Sequence, residues 1–204
     1  MKTLKNYITE KILINKNSKI EYIYHPKTKD ELKELIDQLI EERGDDADLN
    51  DIDTSEITDM SRLFFDSKFN GDISNWIVSN VKNMRGMFCE SKFTGENGDI
   101  SNWDVSNVET MTDMFYHSKF NGNISKWDVS NVEYMGYMFY KSKFTGENGD
   151  ISKWDVSNVQ YTHYMFAYSK FNGDISEWDV SNVIDMVYMF YHTPLEKNPP
   201  KWYK

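Results

Sequence analysis

The chain has 204 residues, with 33 acidic and 23 basic side chains and a formal net charge of −10, enough for one ordinary domain or a short repeat array. That average field repels phosphate backbones, and no dense Lys/Arg cluster stands in the sequence, which argues against nucleic acid as a partner. A single cysteine, Cys89, excludes an intramolecular disulfide and a CxxC metal site, and no apolar run approaches the ~18 residues of a membrane span.

In chain order, the start Met1-Lys-Thr-Leu-Lys lacks the unbroken apolar core of a signal peptide. As written, the chain is therefore expected in the cytoplasm, with a surface or extracellular site left open. Residues 1–52 read as a capping region, with a helix near 4–13 and a strand over 20–24. Thr28 is placed to cap a further helix and Glu31 to complete the capping box. Leu32, Leu35, Ile36, Leu39 and Ile40 then form an amphipathic stripe that Gly44 ends.

Residues 53–202 are six repeats, and 203–204 a tail. All six tryptophans (Trp76, Trp103, Trp127, Trp154, Trp178 and Trp202) occupy one repeat position, spaced 27, 24, 27, 24 and 24 residues apart. The units are 53–76, 77–103, 104–127, 128–154, 155–178 and 179–202. Their shared pattern is D-V-S-N-V-x-x-M-x-x-M-F-x-x-S-K-F-(N/T)-G-…-D-I-S-x-W. A period of this length is the mark of stacked repeat architectures. In the longer units, Gly and Asn within Phe93-Thr-Gly-Glu-Asn-Gly-Asp99 predict a lengthened turn.

Within each unit, Val108, Met111, Met114 and Phe115 form one apolar stripe at helical spacing. Ser106 with Glu109, Ser130 with Glu133 and Ser157 with Gln160 look like capping boxes. Asp-Ile-Ser-x-Trp alternates like a short strand, with Ile73, Ile100, Ile124, Ile151 and Ile175 pointing inward and Trp on that side. The expected fold is thus α/β: a leucine-rich-repeat-like solenoid of six 24–27-residue coils, each a short helix plus a short strand in a parallel sheet, with an α-helical N-terminal cap. At the far end, Leu195 takes the Phe position and Pro199 and Pro200 replace Ile-Ser, so further strand addition is expected to stop there.

The repeat closely resembles the BspA-like leucine-rich-repeat surface protein family of bacteria, whose hallmark is a run of about 25 residues near F-N-x-D-I-S-x-W-D-V-S-N-V-T-x-M-x-x-M-F. The resemblance covers residues 53–202 and implies a leucine-rich-repeat-like solenoid that binds other macromolecules. It carries over no catalytic residue.

The candidate binding residues are tyrosines at changing repeat positions: Tyr116, Tyr134, Tyr137, Tyr140, Tyr161, Tyr164, Tyr168, Tyr188 and Tyr191, nine of the 13 in the chain. Tyrosine gives large contact area at low entropic cost, so a partner-binding stripe is one reading and an aromatic packing ladder the other; the two can coexist. The row Asp72, Asp99, Asn123, Asp150 and Asp174 could hold Ca²⁺, but turn-capping is the simpler role. The Asn80, Asn107, Asn131, Asn158 and Asn182 column reads as a hydrogen-bonding ladder. The four histidines (His25, His117, His163 and His192) lack zinc-ligand spacing, and no nucleophile motif appears. The expectation is a non-enzymatic protein without catalytic residues, metal or cofactor, binding an unidentified protein in adhesion, host interaction or as a phage-encoded inhibitor. A self-assembly module is the alternative, and a Ca-binding repeat protein a lesser one.

Overall fold

The computed structural model describes residues 22–204. The helix expected near 4–13 lies outside the described residues, as do residues 20 and 21 of the strand expected over 20–24. Of that strand, Tyr24 forms a single parallel bridging pair with Ile52.

Helix α1 spans Lys29–Arg43. Thr28 caps it, its Oγ1 accepting from the Glu31 N–H at 3.2 Å, and the Glu31 Oε2 accepts in turn from the Lys27 N–H, one residue before the cap. Leu32, Leu35, Ile36 and Leu39 are fully buried against the first coil. Gly44 ends the helix with φ +91°, a value that only a residue without Cβ adopts freely. The cap was legible because every one of its signals is local.

The six units stack in register. One parallel bridging pair joins each unit to the next, through Asp59, Asn83, Thr110, Tyr134, Tyr161 and Asp185. Buried side chains form ladders along the stack. Phe64, Phe88, Phe115, Phe139, Phe166 and Phe190 lie with ring centroids 5.5–6.1 Å apart. A second phenylalanine ladder from Phe69 to Phe171 runs beside it. Each tryptophan indole N–H donates to a carbonyl of the preceding unit. The acceptors are Leu49, Ile73, Ile100, Ile124, Ile151 and Ile175, at 2.9–3.2 Å. Leu49 occupies the isoleucine place before the first full unit, so the register extends upstream of Asp53. The asparagine column also behaves as expected: Asn80, Asn107, Asn131, Asn158 and Asn182 donate through Nδ2 to a serine carbonyl one unit back at 2.7–2.8 Å.

The predicted helix-plus-strand coil is overturned. Among the described residues, α1 and a short 3₁₀ turn at Pro194–Lys197 are the only helical elements, and bridging pairs stand alone, without a sheet. The M-x-x-M-F segment is instead a chain of tight turns. In the fourth unit the N–H groups of Met135, Tyr137, Phe139 and Lys141 donate to the fifth unit, to the carbonyls of Tyr161, His163, Met165 and Ala167 at 2.8–3.0 Å. The N–H groups between them, of Met138, Tyr140 and Ser142, close turns onto Met135, Tyr137 and Phe139. Every second donor thus leaves the segment, where an α-helix would send all of them back four residues. The geometry needs left-handed backbone at two places per unit. In the fourth these are Tyr137 (φ +58°) and Lys141 (φ +54°), and the other five units repeat the pattern. No capping box forms in the repeats: the Glu109 N–H goes to the Lys82 carbonyl, and its carboxylate pairs with Lys82 Nζ at 3.0 Å.

The Asp-Ile-Ser-x-Trp segment is likewise a pair of turns. The aspartate accepts from the serine N–H two residues on, and the tryptophan N–H bonds back to the isoleucine carbonyl. Isoleucine and tryptophan are three residues apart, so a straight strand would put them on opposite faces. The turn brings both inside, where Ile73, Trp76 and their counterparts through the fifth unit are buried.

Candidate functional site

The tyrosine positions follow from the turns. Side chains of Met and Phe enter the core, so the residues between them face outward. None of the nine tyrosines is buried: Tyr134, Tyr168, Tyr188 and Tyr191 are exposed and the other five are half-buried. They form columns along the stack. Tyr134 lies on Tyr161 with centroids 5.2 Å apart and planes at 9°. Tyr137 lies on Tyr164 at 5.0 Å and 3°, and Tyr164 meets Tyr188 at 5.2 Å. Tyr116 lies on Tyr140 at 4.9 Å. Ala167 interrupts this last column, and Tyr168 crosses over to fill it, meeting Tyr140 and Tyr191 edge to face.

His163 ties the columns together. Its ring meets Tyr137 edge-on at 5.2 Å and lies near Tyr161, and its Nδ1 sits 3.2 Å from Asp185 Oδ2. The ring fits because residue 136 is glycine: a Cβ there would lie 2.7 Å from the imidazole. All nine tyrosines thereby belong to one lattice across the third to sixth units. Both expected readings of these residues describe part of it, since the rings pack on one another and also face solvent.

Burial first, then the neighbouring phenols, push the pKa values of Tyr116 and Tyr137 up from 10.0. Lys141 lies over the rings of Tyr140 and Tyr168, with Nζ 5.3 and 5.5 Å from their centroids. The lattice therefore offers hydroxyl donors and aromatic faces, with no carboxylate–imidazole–nucleophile geometry. Cys89 holds the outward turn position that Tyr116 and Tyr140 occupy in later units, and is covered there; burial, then Asp113, pushes its thiol up to about 11, so it stays protonated.

The aspartate rows are turn caps. Asp72, Asp99, Asp150 and Asp174 accept from Ser74, Ser101, Ser152 and Ser176 N–H at 2.8–3.0 Å. Asp104, Asp128, Asp155 and Asp179 make the same bond at the other bend. The backbone N–H bonds hold Asp150 and Asp174 below the usual 3.8, and the serine hydroxyls with those N–H groups do so for Asp155 and Asp179. Among the described residues no three His, Cys, Asp or Glu side chains converge as a metal-holding group, and no helix is long and apolar enough to cross a membrane.

Four tyrosines, Tyr137, Tyr164, Tyr168 and Tyr188, stand on left-handed backbone. The sequence carried a faint signal of this: both left-handed positions avoid β-branched residues in all six units, and one holds Gly86 at φ +60°. Residues 32–147 and 92–202 match the family model described as Mycoplasma protein of unknown function, DUF285. No curated protein and no solved structure matches the chain.

Proposed function

The chain belongs to the family of Mycoplasma proteins of unknown function, DUF285, and we propose that it is a non-enzymatic interaction protein whose tyrosine lattice binds a protein partner. One observation carries the reading. Nine tyrosines lie on one face without being buried. The core does not require these rings, because the second unit has the same turn with Asn83, Gly86 and Cys89 at the tyrosine positions. Rigid tyrosines with two χ angles lose little entropy on binding and supply both apolar area and a polar tip. The resemblance to BspA-like surface proteins supports adhesion or host interaction as the setting, and a phage-encoded inhibitor would use the same face.

The test pairs wild type with Tyr137→Ala/Tyr164→Ala. A partner captured by the wild type is purified and its affinity measured for both. The double variant is expected to bind at least about tenfold more weakly, as truncation of interface anchors does, while its melting temperature stays nearly unchanged. Equal affinities would remove the reading.

Self-association is the second reading, favoured by the sixth unit. Ile184 is 69% exposed and Val187 55%, and Met186 is half-exposed where its counterparts Met60, Met84, Met111 and Met135 are fully buried. Among the described residues the Met186 N–H meets no backbone carbonyl, where that of Met135 donates across to Tyr161. A second copy stacked on this edge would cover it. Light scattering at rising concentration reads this directly, and a strict monomer removes it.

A further inference from the structure

Stacking brings together five lysines that the sequence separates by 24 or 27 residues: Lys68, Lys92, Lys119, Lys143 and Lys170. Each stands between a serine and the buried phenylalanine of its unit, the serine buried in all but the first unit, and all five lysines are exposed. Backbone bonds hold them in line, from Lys92 N–H to the Ser67 carbonyl, Lys119 to Ser91 and Lys143 to Ser118, at 2.9–3.3 Å. Among the described residues none of the five enters an ion pair. A row of like charges at one per coil repels itself, which destabilises the folded chain unless something of opposite sign lies along it.

The middle of the row borders a cleft. Lys92, Lys119, Lys141 and Lys143 line it with His117, together with Asp66 of the first unit and Glu90 of the second. Ser91, 1% exposed, also lines the cleft, and its hydroxyl has no hydrogen-bond partner. The equivalent hydroxyls of Ser67, Ser118, Ser142 and Ser169 each accept from the phenylalanine N–H two residues on. Ser91 alone of the five accepts no such bond, and it lies where the cationic side chains converge.

We propose that this row is a binding site for the sulfate or phosphate esters of an extended acidic polysaccharide. A strip one lysine wide, on a chain of net charge −10, can pair with one line of charges along a single-stranded polyanion. It cannot offset a duplex, which carries one charge per about 1.7 Å. Single-strand binders add gaps in which bases stack. Here the flanking rings of Tyr140 and Tyr168 meet edge to face at 71°, which leaves no parallel gap between them. The coil step, about 4.8 Å as in any bridged backbone, is close to the length of one sugar unit in an extended chain. The Ser91 hydroxyl then donates to an ester oxygen held between Lys92 and Lys119.

The experiment uses the full chain and heparin as probe, with neutral dextran and single-stranded DNA of similar length as the other arms, all at matched salt. Heparin is expected to bind with an affinity that falls as salt rises, and dextran not to bind. Lys119→Glu/Lys143→Glu is expected to weaken heparin binding at least about tenfold and to flatten its salt dependence, because each paired lysine accounts for a released counterion. Lys126→Glu/Lys153→Glu makes the same charge change outside the row and is expected to leave binding within about twofold. No heparin binding, equal loss in both double variants, or tighter binding of DNA than of heparin each overturns the proposal. The tyrosine variants play no part in this assay, so the two readings fail independently.

Discussion

At the outward turn positions the second unit carries Arg85, Gly86 and Cys89, and the fourth carries Gly136, Tyr137 and Tyr140. Their interiors are nevertheless superposable in kind. Met84 and Met135, Phe88 and Phe139, and Trp103 and Trp154 are buried to the same degree and make the same inter-unit bonds. Gly86 and Tyr137 even share one backbone conformation, at φ +60° and +58°. The stack therefore constrains which way a residue faces and leaves the outward chemistry free. The tyrosines of the last four units are an addition to the scaffold, not a part of it.

That comparison can be broken from the inside. Phe115 sits between Phe88 and Phe139, with Phe120 stacked at 4.1 Å. Phe115→Ala is expected to cost about 3–5 kcal/mol, measured by denaturant unfolding, because a fully buried ring leaves a cavity. Tyr116→Ala, at the next position but facing out, is expected to cost far less. Equal losses would mean that the tyrosines are scaffold after all.

Acid tests a feature that the units share unequally. The first-bend cap is Asp104, Asp128, Asp155 or Asp179 in the last four units, and Ile77 takes its place in the second. Asp150, Asp155, Asp174 and Asp179 have folded pKa values below the ordinary 3.8. Their stabilisation is therefore complete above that value and is lost as pH falls through the lower folded values. The melting temperature is expected to hold down to about pH 5 and then fall steadily below about pH 4. Hydrogen exchange is expected to show the last three units, which hold these four carboxylates, opening before the second. Ile77→Asp supplies the missing cap and is expected to add about 0.5–1 kcal/mol at neutral pH.

A further test concerns backbone alone. Glu90 is exposed with φ +59°. Glu90→Val is expected to lower stability by about 1–2 kcal/mol, since a β-branched residue tolerates that conformation poorly. Glu90→Gly is expected to leave the melting temperature level or higher. A harmless valine would show that the turn relaxes and that tyrosine there carries no strain.

Particular residues show how far the sequence could be read. The tryptophan spacing set the register of all six units, and it did so because each indole must find the same acceptor one unit back. The α1 cap was readable from Thr28, Glu31 and Gly44 because its bonds are local. The inward and outward assignment held as well, since burial follows from apolarity at any backbone conformation. The M-x-x-M-F segment misled because its apolar spacing suits a helix and a pair of tight turns equally. Nothing local reports that the donors of Met135, Tyr137 and Phe139 will be met by carbonyls some 26 residues later. The lysine row escaped notice for a similar reason, its members being a full repeat apart.

What the sequence determined by itself, then, was period, register, the identity of the buried ladders and the capped beginning, all consequences of short-range signals or of apolarity. Tertiary structure alone decided that each coil is made of turns, that tyrosines gather into one lattice, and that five lysines form a line. The physical reason is the same in each case. A backbone N–H bonds to whichever carbonyl the fold presents, and the stack presents the neighbouring coil's before an α-helix can form.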